Sequence, residues 1–428
     1  MPTVTVDQAK LVLNSFAAIF QNNLMSKDLV TWRKFDGEMN DRNGLTVVEQ
    51  VTPDYTTTFT SAAVADLSSG TQDSIFGSEQ YKLQQVIGSS MGWSDFVKIR
   101  DIGAARESEA LKKAALRLAT DIDSYIMGFV AKASNNWVGN ANGTANVATF
   151  ADIATAVTRL KKEGCEDDIR AVLSYDDWQA LGSNVVTNNA SLTDIGGGTY
   201  RQGFNGTIAG IQTAFTQQLQ PLTTGTRSTA AALTAGTADS ATTYASVAIS
   251  GAPGQYLTQL VNLGSLGANA TIADGEVFTI AGVYAYDNRA KKALEHLQQF
   301  RVVGAFTASA GGAVAARVFP AIITSGPHRT VSAAAGNTAV VTFVGQPSTA
   351  TLPRFLANKS AVICNTADLI MPATGTASRK ALTAVPLSVR MWQDSVFATG
   401  EHRIRFDVAM ECNVAADGRR RLVRLNGS

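Results

Sequence analysis

The side chains able to do chemistry in this chain of 428 residues are scattered rather than grouped. His296, His328 and His402 sit in separate segments, and none has a second His, a Cys or a paired acid at metal-ligand spacing. Glu166-Asp167-Asp168 and Asp176-Asp177 offer the oxygen ligands that a divalent cation prefers. They lack the Asp-x-Asp-x-Asp-Gly pattern that would wrap one, and helix capping or solvation accounts for both groups. No Gly-x-Ser-x-Gly elbow leads into a helix, and no P-loop lysine motif is present to cradle a nucleotide phosphate. Gly196-Gly197-Gly198 follows a polar stretch rather than a clean strand and reads as a flexible loop. Cys165, Cys364 and Cys412 are odd in number, far apart and in no Cys-x-x-Cys spacing. They read as three separate buried thiols in a chain made in a reducing cytoplasm. The basic cluster Arg419-Arg420-Arg421 with Arg424 is able to touch phosphates. On a strand, Arg419 and Arg421 would share one face and Arg420 the other, so a charged sheet edge is the competing reading. No catalytic, cofactor or metal residue is assigned, and no enzyme is expected.

Composition points the same way. Charged residues are 17% of the chain, against roughly 25% in ordinary globular proteins. Ala, Gly, Ser and Thr fill the difference, and a surface so poor in charge is weakly defended against association. The net charge of +1 gives no global field to steer toward nucleic acid. No apolar run is long enough to span a bilayer, no secretory signal pattern opens the chain, and no membrane partner is expected. The length exceeds what one core usually serves.

The elements that must position these residues follow from periodicity. Asp7 to Leu24 places Val12, Phe16, Ile19, Phe20 and Leu24 on one helical face. Its isolation leaves open a core helix or an arm that docks elsewhere. Gly44 to Gln85 reads as a long extended excursion with a polar tip at Ser68-Ser69-Gly70. Ser94 to Lys132 holds the clearest helix, with Leu111, Ala115, Leu118, Ile122, Tyr125, Ile126 and Phe129 aligned. Arg106, Lys112, Lys113, Arg117, Asp121 and Asp123 form its solvated face. A second helix spans Phe150 to Lys162, a buried strand spans Arg170 to Ser174, and Asp176-Asp177-Trp178 caps a helical turn. Composition shifts at Pro221, and Ser228 to Asn288 holds no Lys or Arg. Strand-sized pieces recur to about Val344, an all-β barrel or sandwich of about 120 residues. Within it, Gly275 to Val303 is a hairpin. Val277, Thr279, Ala281 and Val283 alternate with Phe278, Ile280 and Gly282, and Asp287-Asn288-Arg289 makes the turn. The strands after this block need partners from before it, so the block is inserted into an α+β host.

Taken in order, several motifs resemble the phage P22 coat protein family of tailed-phage major capsid proteins. Gly44 to Val48 resembles the opening of that family's extended loop. Trp93-Ser94-Asp95-Phe96 and Ile122-Asp123-Ser124-Tyr125 resemble the approach to its spine helix. Tyr200 to Ile211 is similar to a strand-turn element before its insertion. Gly275 to Val303 and Pro320 to Ala335 resemble the insertion, and Pro386 to Arg390 through Phe406-Asp407-Val408 the closing strands. The resemblance implies an α+β fold of the Hong Kong 97 capsid type, with N-terminal helix, extended loop, long spine helix, peripheral and axial domains and an inserted all-β barrel domain. The expected divisions are an N-terminal helical arm at 1–43 and an extended loop at 44–90. A peripheral domain with the spine helix takes 91–147 and 385–428, an axial domain 148–222 and 346–384, and the inserted β-domain 223–345.

The resemblance further implies a major capsid protein of a tailed double-stranded DNA bacteriophage, assembled as pentamers and hexamers of an icosahedral shell. Its partners would be copies of itself, a scaffolding protein, a portal and packaged double-stranded DNA held without sequence specificity, with decoration proteins left open. The place would be the virion, after synthesis in the host cytoplasm. In relatives a charged loop of the insertion reaches between capsomers, yet 228–262 carries only Asp239. Asp287, Arg289, Lys291, Lys292 and Glu295 are the alternative inter-subunit contacts. Arg419, Arg420, Arg421 and Arg424 are the candidate phosphate contacts at the inner wall. The competing reading is a β-rich adhesin or fibre protein, which would bring a signal or repeats that the sequence does not display.

Overall fold

The computed structural model describes residues 6–34, 46–51, 77–83, 85–94, 103–140, 148–165, 168–188, 207–208, 211–237, 258–287, 290–326, 329–372, 375–396, 401–415 and 421–426. The chain is a mixture of helix and sheet that divides into two units. The first contains residues 1–47, 81–129 and 362–413, and the second 48–80, 130–361 and 414–428. The extended excursion is described only at its base, where Thr46–Val51 pairs with Gly77–Lys82. Its tip, Gly196 to Gly198, Tyr200 to Gly206, Glu166-Asp167 and His328 lie outside the described residues.

The first unit is built on a sheet ordered Thr31–Lys34, Val362–Ala367, Glu401–Val414, Ser388–Val396, Thr376–Ala381, with Gln85–Ser94 added along Glu401–Val414. Helix α1, Val6–Asn23, lies over its last two strands. Leu13, Phe16, Phe20 and Leu24 are fully buried, and the Phe16 ring stacks on Phe406 with centroids 3.8 Å apart. Burying such a face removes apolar area from water at about 25 cal/mol per Å². This corrects the expected N-terminal arm: α1 is a core helix of its own unit, because its apolar stripe finds a sheet to cover. Helix α2, Gly103–Ala133, buries Leu118, Ile122 and Ile126 as its periodicity requires. Asp123 departs from the expected solvated face. It is buried and accepts from the backbone N–H groups of Met25 and Ser26, both at 2.9 Å. Burial raises its carboxyl above the ordinary value, and those hydrogen bonds oppose the rise.

Two cysteines also depart from expectation. Cys364 and Cys412 lie on neighbouring strands with Cα atoms 4.2 Å apart and are joined as a disulfide. Their separation of 48 residues hides this pairing from the sequence. Cys165 is the buried free thiol.

The second unit combines a six-stranded sheet with a closed barrel. The sheet runs Asn136–Val138, Leu422–Leu425, Arg354–Asn358, Ile169–Leu173, Ile211–Phe215, Thr207–Ile208. Helix α3, Phe150–Lys162, starts with a capping box between Thr149 and Asp152. It packs Ile153, Ala156 and Leu160 onto Leu173, Leu356 and Val423. Ser174 and Asp177 make the equivalent reciprocal contacts at the start of helix α4, Tyr175–Asn188. Asp177 does more than cap. Its carboxylate also takes the Ala148 N–H at 2.8 Å and Nε of buried Arg354 at 2.8 Å.

The barrel closes in the order Ala230–Leu233, Gln259–Gly264, Val314–Phe319, Lys292–Val302, Val277–Asp287, Val340–Phe343. Phe278, Phe300 and Phe343 meet at its centre, with Val261, Leu263, Val302 and Val318 around them. At its base, Leu222–Thr223 pairs with Ala350–Thr351. Thr224 and Thr349 exchange further hydrogen bonds, and Ser348 donates to Gly225. Just inside this neck, Arg227 and Glu276 form a fully buried ion pair at 2.7 Å. The Glu276 carboxylate also accepts from Gly225 and Ala273, while Arg227 donates to the carbonyls of Gly345 and Val344.

The expected strict alternation along Val277 to Val283 breaks at one point. Phe278 and Ile280 face the core, Ala281 and Gly282 are both exposed, and Val283 and Ala285 then face inward. A register shift separates Thr279 from Tyr284, and Gly282 takes φ +81°. Between those two pairs this strand advances 5 residues (284 − 279) and its partner 2 (299 − 297), and an odd offset turns the later side chains to the other face.

Asp177→Ala is expected to cost about 3–5 kcal/mol, because Arg354 is left charged, buried and unpaired. Urea unfolding followed by fluorescence measures this. Adding Arg354→Leu should recover part of the loss, and a single-variant cost under about 1 kcal/mol would remove the pair from its structural role.

Candidate assembly surfaces

The two hairpin strands, Val277–Asp287 and Lys292–Val302, are 11 residues each, while the other four barrel strands run 4 to 6. Val340–Phe343 pairs only with residues 278–280, and Val314–Phe319 only with 301–302 on this hairpin. The far half therefore extends beyond the closing ladders as a two-stranded arm. It is braced by the bridge Ala285↔Val331, by Tyr286 N–H donating to Thr330 O, and by Arg329 lying 3.9 Å over the Tyr286 ring. Among the sequence-derived contacts, Lys291 and Lys292 are exposed near the tip, with Lys291 in the left-handed region at φ 52°. Asp287 is half-buried and stands opposite Lys292 in register. Glu295 is exposed, 3.6 Å from Lys162 Nζ on α3. Arg289 lies outside the described residues. The structure thus places four of the five on one arm but turns Glu295 toward a lysine of its own chain.

The next residue belongs to a buried cluster. His296 Nε2 lies 3.6 Å from Glu163 Oε1, which also takes Arg159 Nε at 3.0 Å, and Asn136 donates to Oε2 at 2.8 Å. Burial pushes the Glu163 carboxyl up, but His296, Arg159 and Asn136 together outweigh it and leave it below the ordinary glutamate value.

The basic cluster separates. Arg419 and Arg420 lie outside the described residues, and Arg421 is half-buried, donating to Ser360 Oγ. Arg424 is corrected outright. Its side chain is fully buried, donating to Ser134 O and Gly275 O, with its guanidinium 4.9 Å over Trp137. A strand covered on both faces cannot offer Arg424 to a phosphate at the surface.

Sequence reasoning missed a second surface. Phe150, Tyr175 and Trp178 remain 57%, 52% and 44% exposed at the starts of α3 and α4, which the Ala148 to Asp177 bond ties together. Aromatic side chains at i and i+3 behind a capping residue were the available signal. Among the described residues no three His, Cys, Asp or Glu side chains gather as a metal site, and no helix is long and apolar enough to cross a membrane.

The second unit thus carries a charged arm and exposed aromatic side chains on its described surface. The model of the P22 coat protein family, "P22 coat protein - gene protein 5", matches residues 38–416. The chain belongs to that family and is a capsid protein of a tailed bacteriophage, a virion component. No curated protein matches it. Among solved structures it is similar to the capsid of Cyanophage P-SCSP1u, at 11% identity and TM-score 0.48, covering 95% of this chain and 88% of that one. It is also similar to the capsid of Ralstonia phage GP4, at 7% identity and TM-score 0.44, covering 94% and 88%. The adhesin or fibre alternative finds no support.

The Glu163 cluster gives a pH dependence. A carboxyl held below its ordinary value of 4.5 adds stability that is present above that pH and lost as the pH falls through the folded value. Glu163→Gln should therefore lower stability at neutral pH and flatten its decline in acid. Denaturant midpoints across that range check it, and an unchanged acid slope in the variant would refute the assignment.

Proposed function

We propose that this coat protein tiles an icosahedral shell of pentamers and hexamers around the phage genome, using a Hong Kong 97-type body and an inserted β-barrel domain. The match to the coat protein family over residues 38–416 carries this reading. The insertion is supported by the neck: the chain leaves the body at Leu222–Thr223 and returns at Ala350–Thr351, its pairing partner. These positions fit the proposed inserted domain at 223–345, and apart from the N-terminal helix the remaining divisions are proposed as read from the sequence. The paired base at Thr46–Val51 and Gly77–Lys82 fits a loop at 44–90 that lies on a neighbour.

The hairpin arm carries Asp287, Lys291 and Lys292, with Arg289 between them in sequence, and is the proposed contact between capsomers. The exposed aromatics Phe150, Tyr175 and Trp178 add a second contact in the same unit. Many modest contacts of this kind act together once subunits are held in a closed array. A scaffolding protein, a portal and packaged double-stranded DNA complete the proposed partners. Arg419, Arg420 and Arg421 remain candidates for the DNA side, and synthesis in the host cytoplasm belongs to the same reading.

Electron microscopy of the protein expressed with its scaffold tests the proposal; shells or capsomers are expected, and uniformly small particles would count against it. Lys291→Glu with Lys292→Glu should leave subunit stability within about 0.5 kcal/mol, since both side chains are exposed, yet reduce shell yield several-fold. Trp178→Ala should behave alike. Normal shell yield from a variant would remove its surface from the set of contacts.

A further inference from the structure

Where the barrel meets the six-stranded sheet, the second unit buries more positive charge than its own carboxylates balance. Arg227 is matched by Glu276. Arg301 and Arg424 are also buried, at 3% and 0% exposure, and the remaining acid nearby is half-buried Asp274. Three guanidiniums thus face two carboxylates, and arginine does not shed its proton in proteins. Asp274 is partly engaged already, accepting from Gly304 N–H at 2.9 Å.

The hydrogen-bond inventory shows the same deficit. Arg301 Nη1 donates to Lys132 O at 3.2 Å, and Arg424 Nη2 to Ser134 O and Gly275 O. Nε and Nη2 of Arg301, Nε and Nη1 of Arg424, and Nε1 of Trp137 meet no acceptor among the described residues. Phe319 and Trp137 cover the guanidinium faces at 4.9 Å, so the unmet donors lie in the guanidinium planes, where an acceptor would bind. Burial pushes Arg301 down to about 10 despite Asp274. It pushes Arg424 down to about 9, with the Arg301 charge adding to the fall and Asp274 and Glu276 opposing it. An unmet buried donor costs about 1–3 kcal/mol, and more when charged.

We propose that this seam binds one small inorganic anion, of chloride size, between Arg301 and Arg424 with Trp137 Nε1 as a further donor. Water would answer the donors but leave the extra charge uncompensated. The seam is closely packed, since a Cβ on Gly275, whose carbonyl takes Arg424 Nη2, would stand 3.1 Å from Lys132 Cα, and the proposed anion is accordingly a small one. The bound anion would cement the barrel base to the sheet, since the two arginines come from these two elements.

The full-length protein is unfolded by heat in sodium chloride and in sodium gluconate at equal ionic strength. A midpoint about 2 °C lower in gluconate is expected, as for a ligand at roughly tenfold its dissociation constant, and bromide should restore it. Chloride NMR should show line broadening that bromide competes away, lost in Arg301→Met and in Arg424→Met. Should neither variant fold, the wild-type midpoint and the bromide competition still decide. Equal midpoints in chloride and gluconate, or broadening retained in a folded variant, overturn the proposal.

Discussion

The second unit depends on one buried carboxylate. Glu276 sits at the base of the barrel and answers Arg227, Gly225 N–H and Ala273 N–H at once. Through Arg227 it also fixes the carbonyls of Val344 and Gly345, so both ends of the barrel segment are held to one group. An ion pair taken out of water gains little by itself and stabilises only when its remaining hydrogen-bonding capacity is met. Here most of it is met, and the specificity lies in which two chain segments are brought together.

From that base the geometry runs outward. The neck pairs Leu222–Thr223 with Ala350–Thr351, the barrel closes around Phe278, Phe300 and Phe343, and the longest hairpin continues past the barrel as a braced arm. The sheet beside it follows the same logic, with Asp177 joining two helix starts to Arg354. In the first unit, Asp407 is clasped by Arg390 and Arg405 while Phe16 stacks on Phe406. Scarce charges are spent on interior joints. Among the described residues, the exposed faces include Lys291 and Lys292 and the aromatics Phe150, Tyr175, Trp178 and Tyr284, which suits a coat protein that must meet copies of itself.

Much of the secondary structure was legible in the residues. The stripe through Phe16, Phe20 and Leu24, the face through Leu118, Ile122 and Ile126, and the helix from Phe150 to Lys162 all state their periods openly. The candidate contacts were legible only in part. Lys291 and Lys292 emerged on an exposed arm, whereas Glu295 answers Lys162 and Arg424 is interior. A basic residue in an apolar strand reads as an edge because burial on both faces depends on neighbours far away in sequence. The same blindness applied to Asp123, whose partners are the backbone at Met25 and Ser26, and to Cys364 and Cys412.

Local rules decided the elements of this protein. Helical and strand periods, caps such as Thr149 and the depletion of charge are properties of adjacent residues, and adjacent residues are what a sequence displays. Tertiary structure alone decided which charges are interior, that α1 covers its own sheet, and that Gly282 turns the later half of its strand over. Those outcomes depend on desolvation and register. Both are set by partners on other elements, from the neighbouring hairpin strand for Gly282 to a separation of 98 residues for Asp123 and Met25, and local periodicity does not display them.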